Sequence, residues 1–328
     1  MTRSAPTDIS AGKSVPVNIN NFKRAESDLY FSKTVNQGGF GKLKHNREMT
    51  PIDKQEIVRM NRDTIYSSGV FDLYSAPVTI TLPDPGKRFM SMQVISEDHY
   101  AIGVMYAPGR RICTQEEVGT RYVFLAIRTL GNPEDAEDMK AANALQNAIK
   151  VEQRNMGRFE IPNWDQASQD RVRESLESLG SLGLDTTGMF GTKSEIHPIS
   201  HLIGTAVGWG GNPPSAAVYA SVTPKENDGT TVYTITVKDV PVDGFWSISV
   251  YNARGYFAKN SLDAYSINNL NAKPNPDGSF TVQFGGCRTD APNCLPIMAG
   301  WNYTVRMYRP RKEILEGNWK FPEAKRAQ

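Results

Sequence analysis

Alternation of apolar and polar positions dominates the chain. Segments 78–82, 89–95, 122–128, 231–237, 245–251, 279–284 and 303–308 are rich in β-branched and aromatic residues, and Pro, Gly, Asn and Asp punctuate them. They predict short strands and a mainly β protein. Helical periodicity is confined to the middle of the chain. Asn132, Pro133, Glu134 and Asp135 form a helix start, after which Met139, Ala142, Leu145 and Ile149 keep one apolar face until Gly157. Asp165 caps a second helix whose stripe is Val172, Leu176 and Leu179 and whose end is Gly180. A third helical stretch ends at Gly208.

The predicted strands repeat in order. Ile65, Tyr66, Ser67 and Ser68 match Val218, Tyr219, Ala220 and Ser221, and Ile80, Thr81 and Leu82 match Ile235, Thr236 and Val237. The run from Phe89 to Val94 parallels that from Phe245 to Val250, with Tyr100 and Tyr256 following at one spacing. Gly119, Tyr122 and Arg128 share their spacing with Gly300, Tyr303 and Arg309. Four matched blocks in the same order favour an internal duplication over coincidence. The fold expected is mainly β with a helical connector: two related antiparallel β-sandwich or jelly-roll-like units. The predicted boundaries are a flexible tail over 1–20, a first unit over 21–132, a connector over 133–211 and a second unit over 212–328.

Composition narrows the functional classes. The 37 Lys and Arg against 35 Asp and Glu leave a formal charge of +2, which excludes an electrostatic nucleic-acid binder. With 39% hydrophobic residues over 328 positions, the chain can bury a large core without a metal or cofactor. No apolar run approaches the roughly 18 residues a spanning helix needs, so a soluble protein with no membrane span is expected. The start is polar and carries no secretory signal as written, which predicts a cytoplasmic chain, or a periplasmic or secreted one if a leader was removed. Cys287 and Cys294 flank a short polar loop and have either a disulfide or two reduced thiols as their expected state.

The motifs carry a resemblance. Asn61, Arg62, Asp63, Thr64, Ile65 and Tyr66, with Phe71, Asp72 and Leu73 and the run from Pro83 to Phe89, resemble the domain-of-unknown-function family numbered 1254. The second half resembles its usual companion, numbered 1214. Its marks are the run from Gly244 to Ile248, Tyr251 and Asn252, Gly255 to Phe257, Asp277 to Ser279, Leu295 and Pro296, Tyr308 to Pro310, and Gly317 to Trp319. The resemblance covers about Asn21 to Pro322 and implies a β-sandwich-rich, two-domain protein, mostly bacterial and often exported. It implies no reaction.

Candidate chemistry rests on a few clusters. Four histidines exist, and His197 and His201 have metal-ligand spacing, but Pro198 pushes His197 out of the helix and no Glu accompanies them, so no metal is expected. Arg59, Asn61, Arg62 and Asp63 form the densest polar cluster ahead of a strand. Alternation aims Arg59, Asn61, Asp63 and Ile65 to one side and Arg62, Thr64 and Tyr66 to the other. A carboxylate between guanidiniums stays ionised, as a base or as one half of a structural pair. Glu97 and Asp98 beside His99 are placed to raise its pKa at a strand end. Glycines around Trp209 free its indole to face a ligand or to plug the domain junction.

These clusters predict a cofactor-independent hydrolase or lyase whose small polar or sugar-like substrate sits between the two units. Asp63, His99 and His201 would be catalytic, with Arg59, Asn61, Arg62, Tyr66 and Trp209 binding substrate. The alternative is a non-catalytic module binding carbohydrate or protein. The sequence leaves the oligomeric state open.

Overall fold

The computed structural model describes residues 13–55, 58–183 and 186–327. The first half runs α1 (Phe22–Asn36), β1 (Lys44–His45), β2 (Thr64–Asp72), β3 (Val78–Leu82), β4 (Met90–Ser96), β5 (Ala101–Tyr106), β6 (Gly109–Cys113), α2 (Gln115–Val118), β7 (Tyr122–Leu130), α3 (Ala136–Ala148), β8 (Lys150–Gln153), α4 (Gln166–Ser181) and α5 (Pro198–Val207). The second half runs β9 (Ala217–Val222), β10 (Tyr233–Val237), β11 (Trp246–Tyr251), β12 (Ser266–Asn268), β13 (Phe280–Phe284), β14 (Cys294–Leu295), β15 (Asn302–Tyr308), α6 (Lys312–Leu315) and β16 (Lys325–Arg326). Among the described residues the strands form four sheets, antiparallel except where β13 meets β14.

The two halves repeat one topology. The large sheet of the first unit has the order β1-β2-β7-β4-β5 and that of the second β12-β11-β15-β9, so β2, β7, β4 and β5 correspond to β9, β15, β11 and β12. The facing small sheets, β6-β3-β8 and β14-β13-β10-β16, put β3 beside β6 and β10 beside β13 in the same way. Register agrees residue by residue. Ser91 lies opposite Arg128, which lies opposite Tyr66; Ser247 lies opposite Arg306, which lies opposite Tyr219. The counterpart of Arg128 is therefore Arg306, three residues before the Arg309 that spacing alone suggested. The correct match is visible only through strand pairing, because the loops before β7 and β15 differ in length. Equivalent residues also meet: the rings of Phe89 and Phe245 lie 5.1 Å apart, where the halves join.

Each unit is a sandwich because its strands alternate. In the first, Met90, Met92 and Val94 of β4 and Val123, Leu125 and Ile127 of β7 point at the small sheet. In the second, Trp246, Ile248 and Val250 of β11 and Tyr303, Val305 and Met307 of β15 do the same. Fully burying one such Val or Ile contributes about 1.5–3 kcal/mol, so these inward rows fix the register. The outward faces are buried as well: every residue of β4, β7, β11 and β15 is buried. On the first unit α1 and Trp209 help to cover that face, and Phe31, Phe124 and Trp209 pack there.

Three expectations change. The helix begun at Asp135, which caps it through Glu137 and Asp138, ends at Ala148, and residues 150–153 instead pair with β3. α1 escapes the amphipathic pattern because its buried face includes Glu26 and Asp28, paid for by partners from afar: Arg173 at 2.6 Å and Trp164 Nε1 at 2.8 Å. Of the tail expected over 1–20, residues 1–12 lie outside the described set, while Val15 N donates to Asn163 O and Val17 is buried. Cys287 and Cys294 form a disulfide, which settles their alternative, and Cys113 is buried and free.

Candidate functional site

Two segments cross between the units. Residues 58–61, ahead of β2, reach the second unit: Arg59 N donates to Gly255 O (2.7 Å) and the Tyr251 hydroxyl donates to Met60 O (2.7 Å). Residues 208–212, ahead of β9, reach the first: Gly210 N donates to His99 Nε2 (2.8 Å) and Gln93 Nε2 to Gly211 O (2.8 Å). The arms and the outward faces of the large sheets enclose a cavity of about 790 Å³. Among the described residues six cationic side chains line it, Lys44, Arg47, Lys54, Arg59, Arg128 and Arg306, against one carboxylate, Glu48.

Arg128 and Arg306 are the buried members of that set, at 7% and 3% exposure. Their contacts repeat. Arg128 Nη1 donates to Gln93 Oε1 (2.9 Å) and Arg306 Nη1 to Ser249 Oγ (2.9 Å), residues at matching positions of β4 and β11. Nη2 of each donates to the carbonyl of a crossing arm, Gly210 O for Arg128 (3.2 Å) and Arg59 O for Arg306 (2.7 Å). Arg306 also donates to the Tyr251 hydroxyl at 2.6 Å. Among the described residues neither arginine forms an ion pair, and Arg128 Nε is buried with no hydrogen-bond partner. Guanidinium stays charged at any ordinary pH, so both side chains are cationic; the buried Asp63 carboxylate acts on Arg306 electrostatically, without an ion pair to it among the described residues.

Tyrosines complete the lining. Tyr66 lies under Arg128, the guanidinium 5.6 Å from its ring centroid. Asn61 Nδ2 donates to the Tyr308 hydroxyl (2.9 Å) and reaches that of Tyr66 (3.4 Å), while Asn212 Nδ2 donates to the Tyr219 hydroxyl (2.9 Å). Burial, reinforced by Tyr219 and Tyr66, holds the Tyr308 pKa well above its ordinary value, so its hydroxyl keeps its proton. Arg59, with a left-handed φ of 55°, donates to Asn302 Oδ1 (2.6 Å) and Thr304 Oγ1 (3.0 Å). Burial, with Arg306 nearby, lowers its pKa.

The expected site residues divide. Arg59, Asn61, Tyr66 and Trp209 line the cavity; Arg62, Asp63, His99 and His201 do not. Arg62 turns away, its Nη1 donating to Thr50 O and its guanidinium lying 5.2 Å from the Tyr265 ring centroid. Alternation misassigned these sides because strand geometry starts only at Thr64. Asp63 is fully buried, and its partners are neutral rather than guanidiniums. Its Oδ2 accepts from Ser247 Oγ (2.6 Å), and its Oδ1 accepts from Ser266 Oγ (2.8 Å) and Asn268 Nδ2 (3.2 Å), all from the second unit.

His99 and His201 do meet. Their rings stack at 5.3 Å, and His99 stacks on Trp209 at 5.4 Å, behind the cavity wall. Because His99 Nε2 accepts from Gly210 N, its proton sits on Nδ1, directed at Thr205 Oγ1 (2.8 Å). Burial, then His201 and Lys23, pushes its pKa well below the ordinary value, the opposite of the rise expected from Glu97 and Asp98. Those carboxylates face Arg24 instead. His201 is also lowered by burial, and its Nδ1 donates to Met189 O (2.9 Å). Among the described residues no cluster of His, Cys, Asp and Glu could hold a metal ion. Nor, among the described residues, is any helix long and apolar enough to cross a membrane.

Residues 40–117 match the family described as protein of unknown function DUF1254, and residues 217–312 match that described as protein of unknown function DUF1214. The chain joins a DUF1254 domain to a DUF1214 domain. The matched segments lie in the first and second sandwich; β7, which carries Arg128, follows the first match. Among solved structures, the VPA0106 protein from Vibrio parahaemolyticus is similar over 94% of this chain and 98% of its own, at 18% identity and a TM-score of 0.69. That likeness concerns the fold. An uncharacterised protein from Burkholderia cenocepacia aligns over 90% of this chain and 84% of its own, at 13% identity and a TM-score of 0.48. No curated protein matches the chain.

Sequence reasoning missed Arg128, Arg306, Tyr219 and Tyr308 as site residues of the DUF1254–DUF1214 pair. A signal was available: each arginine interrupts a run of apolar strand residues, where a charge has no ordinary place.

Proposed function

We propose that the cavity between the two domains is a receptor site for a small organic anion, carboxylate or phosphate in class. One observation carries this reading: Arg128 and Arg306 are buried, face the same cavity and lack ion-pair partners among the described residues. Burying a guanidinium without an anion is costly, and planar N–H donors match carboxylate and phosphate oxygens. The hydroxyls of Tyr66, Tyr219 and Tyr308 add hydrogen-bonding groups to the lining. Trp209, Met49 and Met60 supply apolar walls for the rest of the ligand, and about 790 Å³ suits a molecule of metabolite size.

Binding is favoured over the expected hydrolase or lyase chemistry by the lining itself. Among the described residues it holds neither His nor Cys, and Glu48 is its one carboxylate. Asp63 supports the reading as a tie between the domains rather than a base. Isothermal titration of the purified protein with acetate-to-citrate carboxylates and with phosphate esters, at low salt, tests the proposal. At least one anion is expected to bind with a Kd in the micromolar range; a panel with no binding below about 1 mM contradicts it.

A further inference from the structure

The two buried arginines are related by the duplication, and their surroundings repeat position by position. Each lies across the strand pair from a tyrosine on one side and a serine on the other. Each anchors Nη1 on its own sheet and Nη2 on the arm crossing from the other half. Arg128 and Arg306 thus form two separate anchors, one per domain, rather than one fork. Tyr308 lines the same cavity, and both guanidiniums act on its hydroxyl electrostatically.

The duplication also sets where acid groups can sit. Two buried guanidiniums on different sheets offer two anchors, and the buried Asp63 carboxylate acts on Arg306 electrostatically without an ion pair to it among the described residues. The other cations at the cavity are less buried: Arg47 and Lys54 are exposed, and Lys44 and Arg59 half-buried. A compact dianion such as phosphate carries its charge at one point, whereas a molecule with an acid group at each end can take one anchor on each sheet. Resting on the anion-receptor reading above, we infer that the ligand is a dicarboxylate, with one acid group on Arg128, the other on Arg306 and an apolar spacer passing Tyr308.

Arg128 has the capacity for it. Its Nε has no surface open to a ligand, but Nη1 and Nη2 engage Gln93 Oε1 and Gly210 O with one N–H each, and the guanidinium's remaining terminal N–H groups can meet a carboxylate oxygen. Arg306 has spent Nη2 on both Arg59 O and Tyr251, so its carboxylate competes with or shares those donors. The spacer meets apolar surface at Met49, Met60 and Trp209.

Titration of the wild-type protein with α,ω-dicarboxylates of four to eight carbons, with the monocarboxylates of equal length and with inorganic phosphate tests this. One dicarboxylate length is expected to bind at least tenfold more tightly than its monocarboxylate and than phosphate. Arg128→Met and Arg306→Met should each reduce that dicarboxylate to the affinity of the monocarboxylate. If monocarboxylates bind as tightly as every dicarboxylate, or phosphate binds best, the dicarboxylate assignment falls while the anion receptor stands. If no anion binds, both fall. The wild-type comparison needs no variant, so a misfolded substitution cannot mask the result.

Discussion

Arg128 and Arg306 occupy one position in a duplicated sheet, each paired across the strands with a tyrosine, Tyr66 and Tyr219, and both face the cavity where the duplicates meet. Structural arginines that stabilise a fold are paired with carboxylates, as Arg121 is with Asp72 at 2.9 Å and Arg173 with Glu26 at 2.6 Å. Among the described residues the cavity pair is not, although the buried Asp63 acts on Arg306 electrostatically. Arg128→Met should therefore leave the thermal midpoint of the unliganded protein unchanged or raise it, because a buried charge without an ion-pair partner is removed. Thermal unfolding followed by circular dichroism checks this. A drop beyond about 2 kcal/mol would mean that Arg128 holds the fold together.

Asp63 predicts the opposite pattern. Its carboxylate ties β2 to β11 and β12 through Ser247, Ser266 and Asn268. Asp63→Asn puts an amide N–H₂ against donors, and hydrogen bonds to charged groups are worth about 1.5–3 kcal/mol each. The variant should lose about 2–4 kcal/mol in urea unfolding while each folded molecule keeps its anion affinity. Unchanged stability with lost affinity would move Asp63 back to the site.

Acid should expose the histidines. His99 and His201 are held neutral, with pKa values below the ordinary imidazole value near 6.5. Their folded pKa values are depressed, so the stability they confer is present above the unfolded pKa and is lost as pH falls through the folded values. Unfolding of wild type and His99→Gln from pH 7.5 to 4.5 measures this. The gap between them should narrow as pH drops; a constant gap contradicts it.

Asp28 runs the other way. Burial lifts its pKa to about 7, against the lowering hydrogen bond from Trp164. A raised folded pKa means its contribution is full below pH 4 and is lost as pH rises to 7. Relative to Asp28→Asn, the wild type should lose stability across that window, by up to about 4 kcal/mol. A difference that does not change with pH would show that Asp28 ionises at its ordinary value.

The fold was legible where periodicity and caps agree. Alternation located β3, β4, β7, β10, β11, β13 and β15, and the repeat exposed the duplication because residues such as Phe89 and Phe245, just ahead of β4 and β11, keep their places. α1 stayed hidden because Glu26 and Asp28 face inward, and no local pattern announces partners more than 100 residues away. His99 shows the same limit. It takes a left-handed φ of 66° where its counterpart in the repeat, Gly255, has 81°, and its reason for doing so is Gly210 N. Of the site, the segment before β2 was visible as a polar cluster. The arginine pair was not, since it exists only once β7 and β15 are aligned by register.

The most direct test is the Kd of the tightest-binding anion for wild type and for the Arg128→Met, Arg306→Met double variant, measured at equal ionic strength with both proteins shown to be folded. The account predicts a loss of at least a hundredfold, equivalent to about 2.7 kcal/mol or more. Equal affinity in the two proteins would contradict it and leave the buried arginines without a ligand to explain them.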